Sequence, residues 1–106
     1  MTPQQIERML RYSPGRVVEV VKGAVTTWGH ERGTPVPVLE GEGGSGSVQA
    51  RDWGVTIANG ILAGISATEG IDAELTVGGV DAVVRGIGPA DGEPDGDVIT
   101  LRLGVA

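Results

Sequence analysis

The sequence predicts a mainly β protein, a small barrel or sandwich of six to seven short antiparallel strands with a short N-terminal helix and a long flexible loop between strands. Val, Ile and Thr dominate the residues that favour strands, and the chain has no Phe and only two Trp and one Tyr. Glycine supplies 19 of the 106 residues, which is typical of short strands joined by tight turns. The length suits one domain over residues 1–106.

Charge and composition exclude several classes of partner. The net charge of −6 argues against specific binding to nucleic acid, which needs clustered Lys and Arg. The chain has no Cys, so neither a disulfide framework nor a thiolate metal site is expected. No apolar run approaches the roughly 20 residues that cross a bilayer, and the N-terminus lacks the pattern of a signal peptide. We therefore expect neither nucleic acid nor a membrane as a partner.

Residues 1–13 carry the signals of a helix. Thr2 stands at the N-cap position, Pro3 follows at the first helical position, and Gln5 completes a capping box with Thr2. Pro14 disfavours helical geometry at the residue before it, so the helix should end near residue 13.

The predicted helix has an apolar stripe formed by Ile6, Met9 and Leu10 at helical spacing. A helix of about ten residues is marginal by itself, so this stripe must pack against something. The stripe could cover the helix's own domain, or it could dock on a neighbouring subunit.

Six segments have the composition of strands: 16–22, 24–28, 48–59, 71–77, 80–87 and 97–103. Gly29 and Gly33 are expected to end the second of them. Pro37 lacks an amide donor, so residues 36–39 can form only an edge or irregular strand. Residues 60–64 fit either a helical turn or the end of a strand.

The strongest local prediction is a hairpin around Gly78-Gly79, a two-residue loop that suits a type I′ turn. Its register separates an apolar face from a polar one: Val77 with Val80, Leu75 with Ala82 and Ala73 with Val84 on the first, and Thr76 with Asp81, Glu74 with Val83 and Asp72 with Arg85 on the second. A slip of one residue would destroy that separation.

A glycine- and serine-rich stretch, residues 41–47, has no apolar side chain to bury. Such a composition should stay mobile until a partner orders it. Two separate domains around it would be too small to build separate cores. Residues 40–49 are therefore predicted to be a long flexible loop between two strands of one domain.

The sequence offers no catalytic or metal-binding set, so we predict no enzyme, no metal site and no cofactor. His30 is the only His, so a site built from several His is excluded. We expect His30 on the surface or in a loop. Residues 91–97 imitate the start of a calcium-binding loop, but Arg102 stands where the bidentate Glu belongs, so a solvated loop is expected. Trp28 and Trp53 are expected in the core.

Three stretches carry a resemblance to a known family. They are Val-Thr-Thr-Trp-Gly at 25–29, Gly-Ile-Leu-Ala-Gly-Ile at 60–65, and above all residues 71–103, with a glycine turn, a Val-Val-Arg-Gly-Ile strand, a Pro-Ala-Asp-Gly loop and a closing Thr-Leu-Arg-Leu strand. The order resembles the head-tail joining proteins of long-tailed bacteriophages, the head-completion or stopper family typified by the lambda attachment protein. Ala82 departs from that family, which usually has a larger aromatic residue there.

The resemblance implies a small β-barrel without catalysis that is monomeric when free and joins a ring at the portal vertex after DNA packaging. Its partners would be the portal or adaptor ring and the tail proteins, in the virion neck, and it would be in the host cytoplasm during assembly. The residues that the resemblance assigns to assembly are Ile6, Met9 and Leu10 of the helix and Glu40, Glu42, Gly43, Gly44, Ser45, Gly46 and Ser47 of the loop.

Two other classes remain open. One is a different small-barrel virion component, such as a tail-tube or decoration subunit. The other is a non-viral β-barrel that binds a protein or a small ligand, which exposed Trp28 and Trp53 in one groove would favour.

Overall fold

One helix and six strands make up the regular structure of a computed structural model that describes residues 1–36, 52–89 and 96–106. In chain order they are α1 (Pro3–Tyr12), β1 (Val17–Lys22), β2 (Val25–Arg32), β3 (Trp53–Ala58), β4 (Glu74–Val77), β5 (Val80–Pro89) and β6 (Val98–Val105). The strands close into an antiparallel barrel in the order β1-β2-β3-β6-β5-β4. The predicted fold class is confirmed, and the barrel replaces the sandwich alternative.

The two strongest local predictions are confirmed. At the start of α1 the Thr2 amide donates to Gln5 Oε1 (2.8 Å) and the Gln5 amide donates to Thr2 Oγ1 (3.2 Å), which is a capping box. At the β4–β5 turn Gly78 and Gly79 have φ values of 57° and 82°, as a type I′ turn requires. The strands on either side pair in the predicted register: Val77 with Val80, Thr76 with Asp81, Leu75 with Ala82 and Glu74 with Val83.

The prediction that Gly29 ends the second strand is wrong, because β2 continues through it to Arg32. A Cβ atom on Gly29 would collide with the backbone carbonyl of Thr56 and lie 2.9 Å from Ile57 Cγ2. The glycine thus allows β2 and β3 to approach each other closely.

Residues 60–64, for which the sequence predicts a helical turn or the end of a strand, form turns and bends beyond the end of β3. The Ile65 amide donates to the Leu62 carbonyl at 3.2 Å, and both side chains reach the core. Val36 lies outside the strands, although its carbonyl accepts a hydrogen bond from the Val105 amide at 3.0 Å.

The core fills the inside of the barrel with small branched side chains and one indole. Alternation along β3 turns Trp53, Val55 and Ile57 inward, opposite Leu103, Leu101 and Ile99 of β6. The buried cluster consists of Val20, Trp53, Val55, Ile57, Leu62, Ile65, Leu75, Val77, Ala82, Val84, Ile99, Leu101 and Leu103. Burying each larger aliphatic side chain contributes about 1.5–3 kcal/mol.

Candidate interaction surface

Helix α1 lies on the outer wall of the barrel against β2 and β3. Ile6 is only 6% exposed and packs with Ala58 and Val98, which are paired residues on the outer face of β3 and β6. Leu10 packs against the same cluster and is half-buried. Two of the three helix residues that the resemblance assigned to assembly therefore cover their own domain, and Met9 remains 53% exposed.

His30 holds the C-terminal end of α1. Its Nε2 atom lies 2.6 Å from the carbonyl oxygen of Leu10, one of the last carbonyls of the helix, which have no partner within it. Because a carbonyl can only accept, Nε2 must carry the donating hydrogen. The sequence predicts His30 on the surface or in a loop; it is a half-buried residue of the strand β2, so the loop position is wrong.

Arg11 provides a third contact between the helix and the barrel. Its guanidinium carbon lies 4.8 Å from the centre of the Trp28 ring, within the range of a cation–π interaction. Trp28 is half-buried on the outer face of β2, because the strand alternation points its neighbour Thr27 inward. The prediction of a core position is therefore right for Trp53 and wrong for Trp28.

The side of α1 away from the barrel presents exposed apolar side chains beside two arginines, Arg8 and Arg11, and the guanidinium carbon of Arg11 lies 5.6 Å from the centre of the Tyr12 ring. Met1, Met9 and Tyr12 are 72%, 53% and 75% exposed, and exposed Arg8 adjoins Met9 and stands four positions before Tyr12, on the same side of the helix as Tyr12. We call Arg8, Met9 and Tyr12 the helix surface. Arg8 takes part in neither the Arg16–Glu31 nor the Arg85–Asp72 ion pair.

A second feature lies on the outer face of β1, β4 and β5. An open groove of about 400 Å³ includes Glu74, Thr76, Asp81 and half-buried Val21 in its lining. Strand register sets three of these side chains in one row, because Val21 pairs with Thr76, which pairs with Asp81. We call these four residues the acidic groove.

A polar cluster at Glu31 was missed by sequence reasoning and explains how the barrel accommodates its indole. The Trp53 Nε1–H donates to Glu31 Oε2 at 2.8 Å, and Arg16 Nη2 donates to Glu31 Oε1 at 2.9 Å. Trp53 is fully buried, so its only polar group needs such a partner. Spacing could not have shown this, since Glu31 and Trp53 lie on different strands.

Other predicted features fall elsewhere. Residues 40–49, with the seven assembly residues assigned there, and residues 91–95 of the acidic run lie outside the described residues. Within the described ranges no group of three or more His, Asp or Glu residues is placed to hold a metal ion. No helix in the same ranges is long and apolar enough to cross a membrane.

Comparison of the chain with known proteins found no match among family models, curated proteins or solved structures.

Proposed function

We propose that this protein is a structural component of the bacteriophage neck, a ring-forming head-completion or stopper protein that joins the DNA-filled head to the tail. One observation carries the proposal: the barrel is closed and filled with apolar side chains, and the helix on its wall keeps its outer side exposed. The resemblance of residues 71–103 to the head-tail joining family supplies the specific class.

The closed barrel supports a role in assembly through side-chain surfaces. Closure removes the unpaired strand edges through which β proteins otherwise associate. Among the described residues, contacts with neighbours then use the outer faces of the barrel and α1, in addition to any made by residues 40–49, which the resemblance assigns to assembly. Because Ile6, His30 and Arg11 fix α1 to the wall, the exposed Met9 and Tyr12 are presented in a defined position.

The charge of the chain suits a position around passing DNA. A net charge of −6 disfavours non-specific attachment to the duplex, which basic surfaces would promote. A ring at the exit of the head must let DNA pass without holding it.

The ligand-binding alternative would be favoured by Trp28 and Trp53 exposed together in one groove, and the structure does not place them so. Trp53 is inside the barrel with no exposed surface, whereas Trp28 lies on the outer face beneath Arg11. The two indoles therefore cannot form one aromatic groove. The tail-tube and decoration alternatives share the fold, and position in the virion separates them from a neck protein.

Inactivating the gene in the phage that encodes it tests the proposal. We expect electron microscopy to show DNA-filled heads without tails beside free tails, and added purified protein to restore infectivity. Normal tailed particles would exclude the neck function. Tails of altered length would indicate a tail-tube protein, and unstable but tailed capsids a decoration protein.

A matched pair of variants connects this test to the structure. Met9→Glu places a charge on the exposed side of α1 and should restore few tailed particles, while its thermal unfolding stays close to that of the parent protein. Ala67→Glu makes the same charge change on the exposed 66–69 turn and should restore them fully. Equal restoration by the two variants would show that α1 makes no contact in the virion.

A further inference from the structure

We propose that copies of this chain bind one another head to tail, with the helix surface of one copy seated in the acidic groove of the next. The inference deepens the proposed function and rests on it for the place where the copies meet. The two surfaces differ from each other, so each copy offers one of each.

The two surfaces lie on opposite walls of the barrel. Around the closed sheet the order is β1-β2-β3-β6-β5-β4, so β5 is opposite β2 and β4 is opposite β3. The helix lies on β2 and β3, and the groove lies on β1, β4 and β5. When two copies bind through unlike surfaces, the helix surface of one copy and the acidic groove of the other stay free. Further copies can therefore add in the same way, and they form a ring when the rotation between neighbours closes.

The charges of the two surfaces are complementary. Exposed Glu74 and Asp81 bring two carboxylates to the groove, and neither takes part in the Arg16–Glu31 or the Arg85–Asp72 ion pair. Arg8 on the helix surface is the matching cation and is likewise outside those pairs. Since the whole chain carries −6, copies repel each other at a distance, and a stable contact must bring opposite charges together locally.

The same charges argue against the symmetric alternatives. A helix-to-helix dimer would bring Arg8 against its own copy, and a groove-to-groove dimer would bring Glu74 and Asp81 against theirs. Like charges brought together in this way oppose binding. The head-to-tail arrangement is the one that pairs opposite charges.

Apolar contact completes the match. The groove volume of about 400 Å³ admits side chains of the size of Met and Tyr, and half-buried Val21 adds an apolar side chain to a lining that is mainly polar. Met9 and Tyr12 are the exposed apolar groups beside Arg8. A few such side chains fall short of the roughly 800 Å² per partner that stable complexes bury, so the contact is weak until copies are gathered at one vertex.

Disulfide trapping detects such a weak contact in the purified full chain, which has no Cys of its own. Met9→Cys protein is mixed under mild oxidation with Thr76→Cys protein, and mixed dimers are separated from the two homodimers. We expect mixed dimers to exceed random pairing. In the control, Met9→Cys is mixed with Ala67→Cys, whose cysteine lies on neither surface, and should pair at random.

Charge exchange tests the orientation. Adding Glu74→Lys to the Thr76→Cys protein should lower the yield of mixed dimers about fivefold, the change that corresponds to roughly 1 kcal/mol at an exposed charge pair. Adding Arg8→Glu to the Met9→Cys partner should restore it, because the charges are again opposite. Glu69→Lys changes the net charge equally outside the groove and should leave the yield within about a third of the parent value.

Three results would overturn the contact: mixed dimers no more abundant than with Ala67→Cys, a predominance of Met9→Cys homodimers, or no recovery on charge exchange. Each is distinguishable from failure of the neck assignment. If mixed dimers are trapped but the mutant phage has normal tails, the head-to-tail contact is supported and the neck assignment is excluded. If the mutant phage gives tailless heads but no mixed dimers are trapped, the neck assignment is supported and the copies must contact each other through other surfaces.

Discussion

Replacing Glu31 with Ala removes the hydrogen-bond partner of a fully buried indole. The Trp53 Nε1–H lies 2.8 Å from Glu31 Oε2 and has no exposed surface through which water could replace the acceptor. Leaving a buried donor without a partner costs about 1–3 kcal/mol. The ion pair with Arg16, whose side chain is 59% exposed, adds at most about 1 kcal/mol.

Two variants separate these contributions. Glu31→Gln keeps a carbonyl oxygen for the indole and loses only the charge that faces Arg16, so it should lower the free energy of unfolding by no more than about 1 kcal/mol. Arg16→Ala should have the same small effect. Glu31→Ala should lower the midpoint of thermal unfolding by about 5–20 °C, from the usual scaling for a domain near this size.

Urea denaturation followed by Trp fluorescence measures the free energy of unfolding for each variant, and a double-mutant cycle with Trp53→Phe isolates the indole hydrogen bond. In the Phe background the loss of Glu31 should cost less, because no buried N–H is left unpaired. Equal losses for Glu31→Ala and Glu31→Gln, or a cycle without coupling, would refute this reasoning.

Three further predictions concern single residues of the fold, and a fourth concerns the composition of residues 43–47. Gly29→Ala should destabilise the barrel by about 1–3 kcal/mol or more through collision between strands, whereas Gly88→Ala, whose Cβ atom meets nothing within 4 Å, should be close to neutral in the same thermal unfolding. Thr2→Ala should cost about 1 kcal/mol and speed amide hydrogen exchange in the first turn of α1, and Thr2→Ser should preserve both; unchanged exchange in the Ala variant would count against the cap. Thr27→Val should raise the unfolding midpoint, because the buried Thr27 hydroxyl finds no partner among the described residues and its burial costs about 1–3 kcal/mol; a lower midpoint would reveal a partner for the hydroxyl. Deleting residues 43–47 should leave the unfolding midpoint within about 2 °C, since their composition supplies no apolar burial, and should prevent incorporation into virions if these residues act in assembly as proposed; normal phage yield would contradict that proposal.

Local signals explain which parts of the fold could be read from the sequence. The capping box at Thr2 and Gln5 involves residues three apart, and the Gly78-Gly79 turn fixes the register of strands that follow directly on either side. Such interactions are encoded within a few positions. The class of a small barrel follows from the number and shortness of the strands they delimit.

The features that the sequence did not predict depend on interactions between segments far apart in the chain. Glycine usually weakens a strand, so the sequence predicts that Gly29 ends one, whereas the close approach of β3 requires a glycine inside β2. In a chain without Phe the sequence predicts Trp28 in the core, yet α1 covers the outer wall, and Arg11 of the helix packs on the indole there. The polar partner of Trp53 lies 22 positions away.

The candidate site was predicted only in part for the same reason. The stripe of Ile6, Met9 and Leu10 shows that one side of the helix is apolar, but its spacing does not say which members face the barrel. The structure buries Ile6 and leaves Met9 exposed. The acidic groove was not foreseen, because Val21, Thr76 and Asp81 meet only through the pairing of three strands.

The most direct test of the neck assignment is an electron-microscopic reconstruction of the virion neck, with the protein composition of the same particles determined by mass spectrometry. We predict a ring of six-stranded barrels between the head and the tail into which this fold fits, with α1 of each copy against β4 and β5 of the next. Infectious particles that lack the protein, or that carry it only on the capsid surface or along the tail, would contradict the assignment.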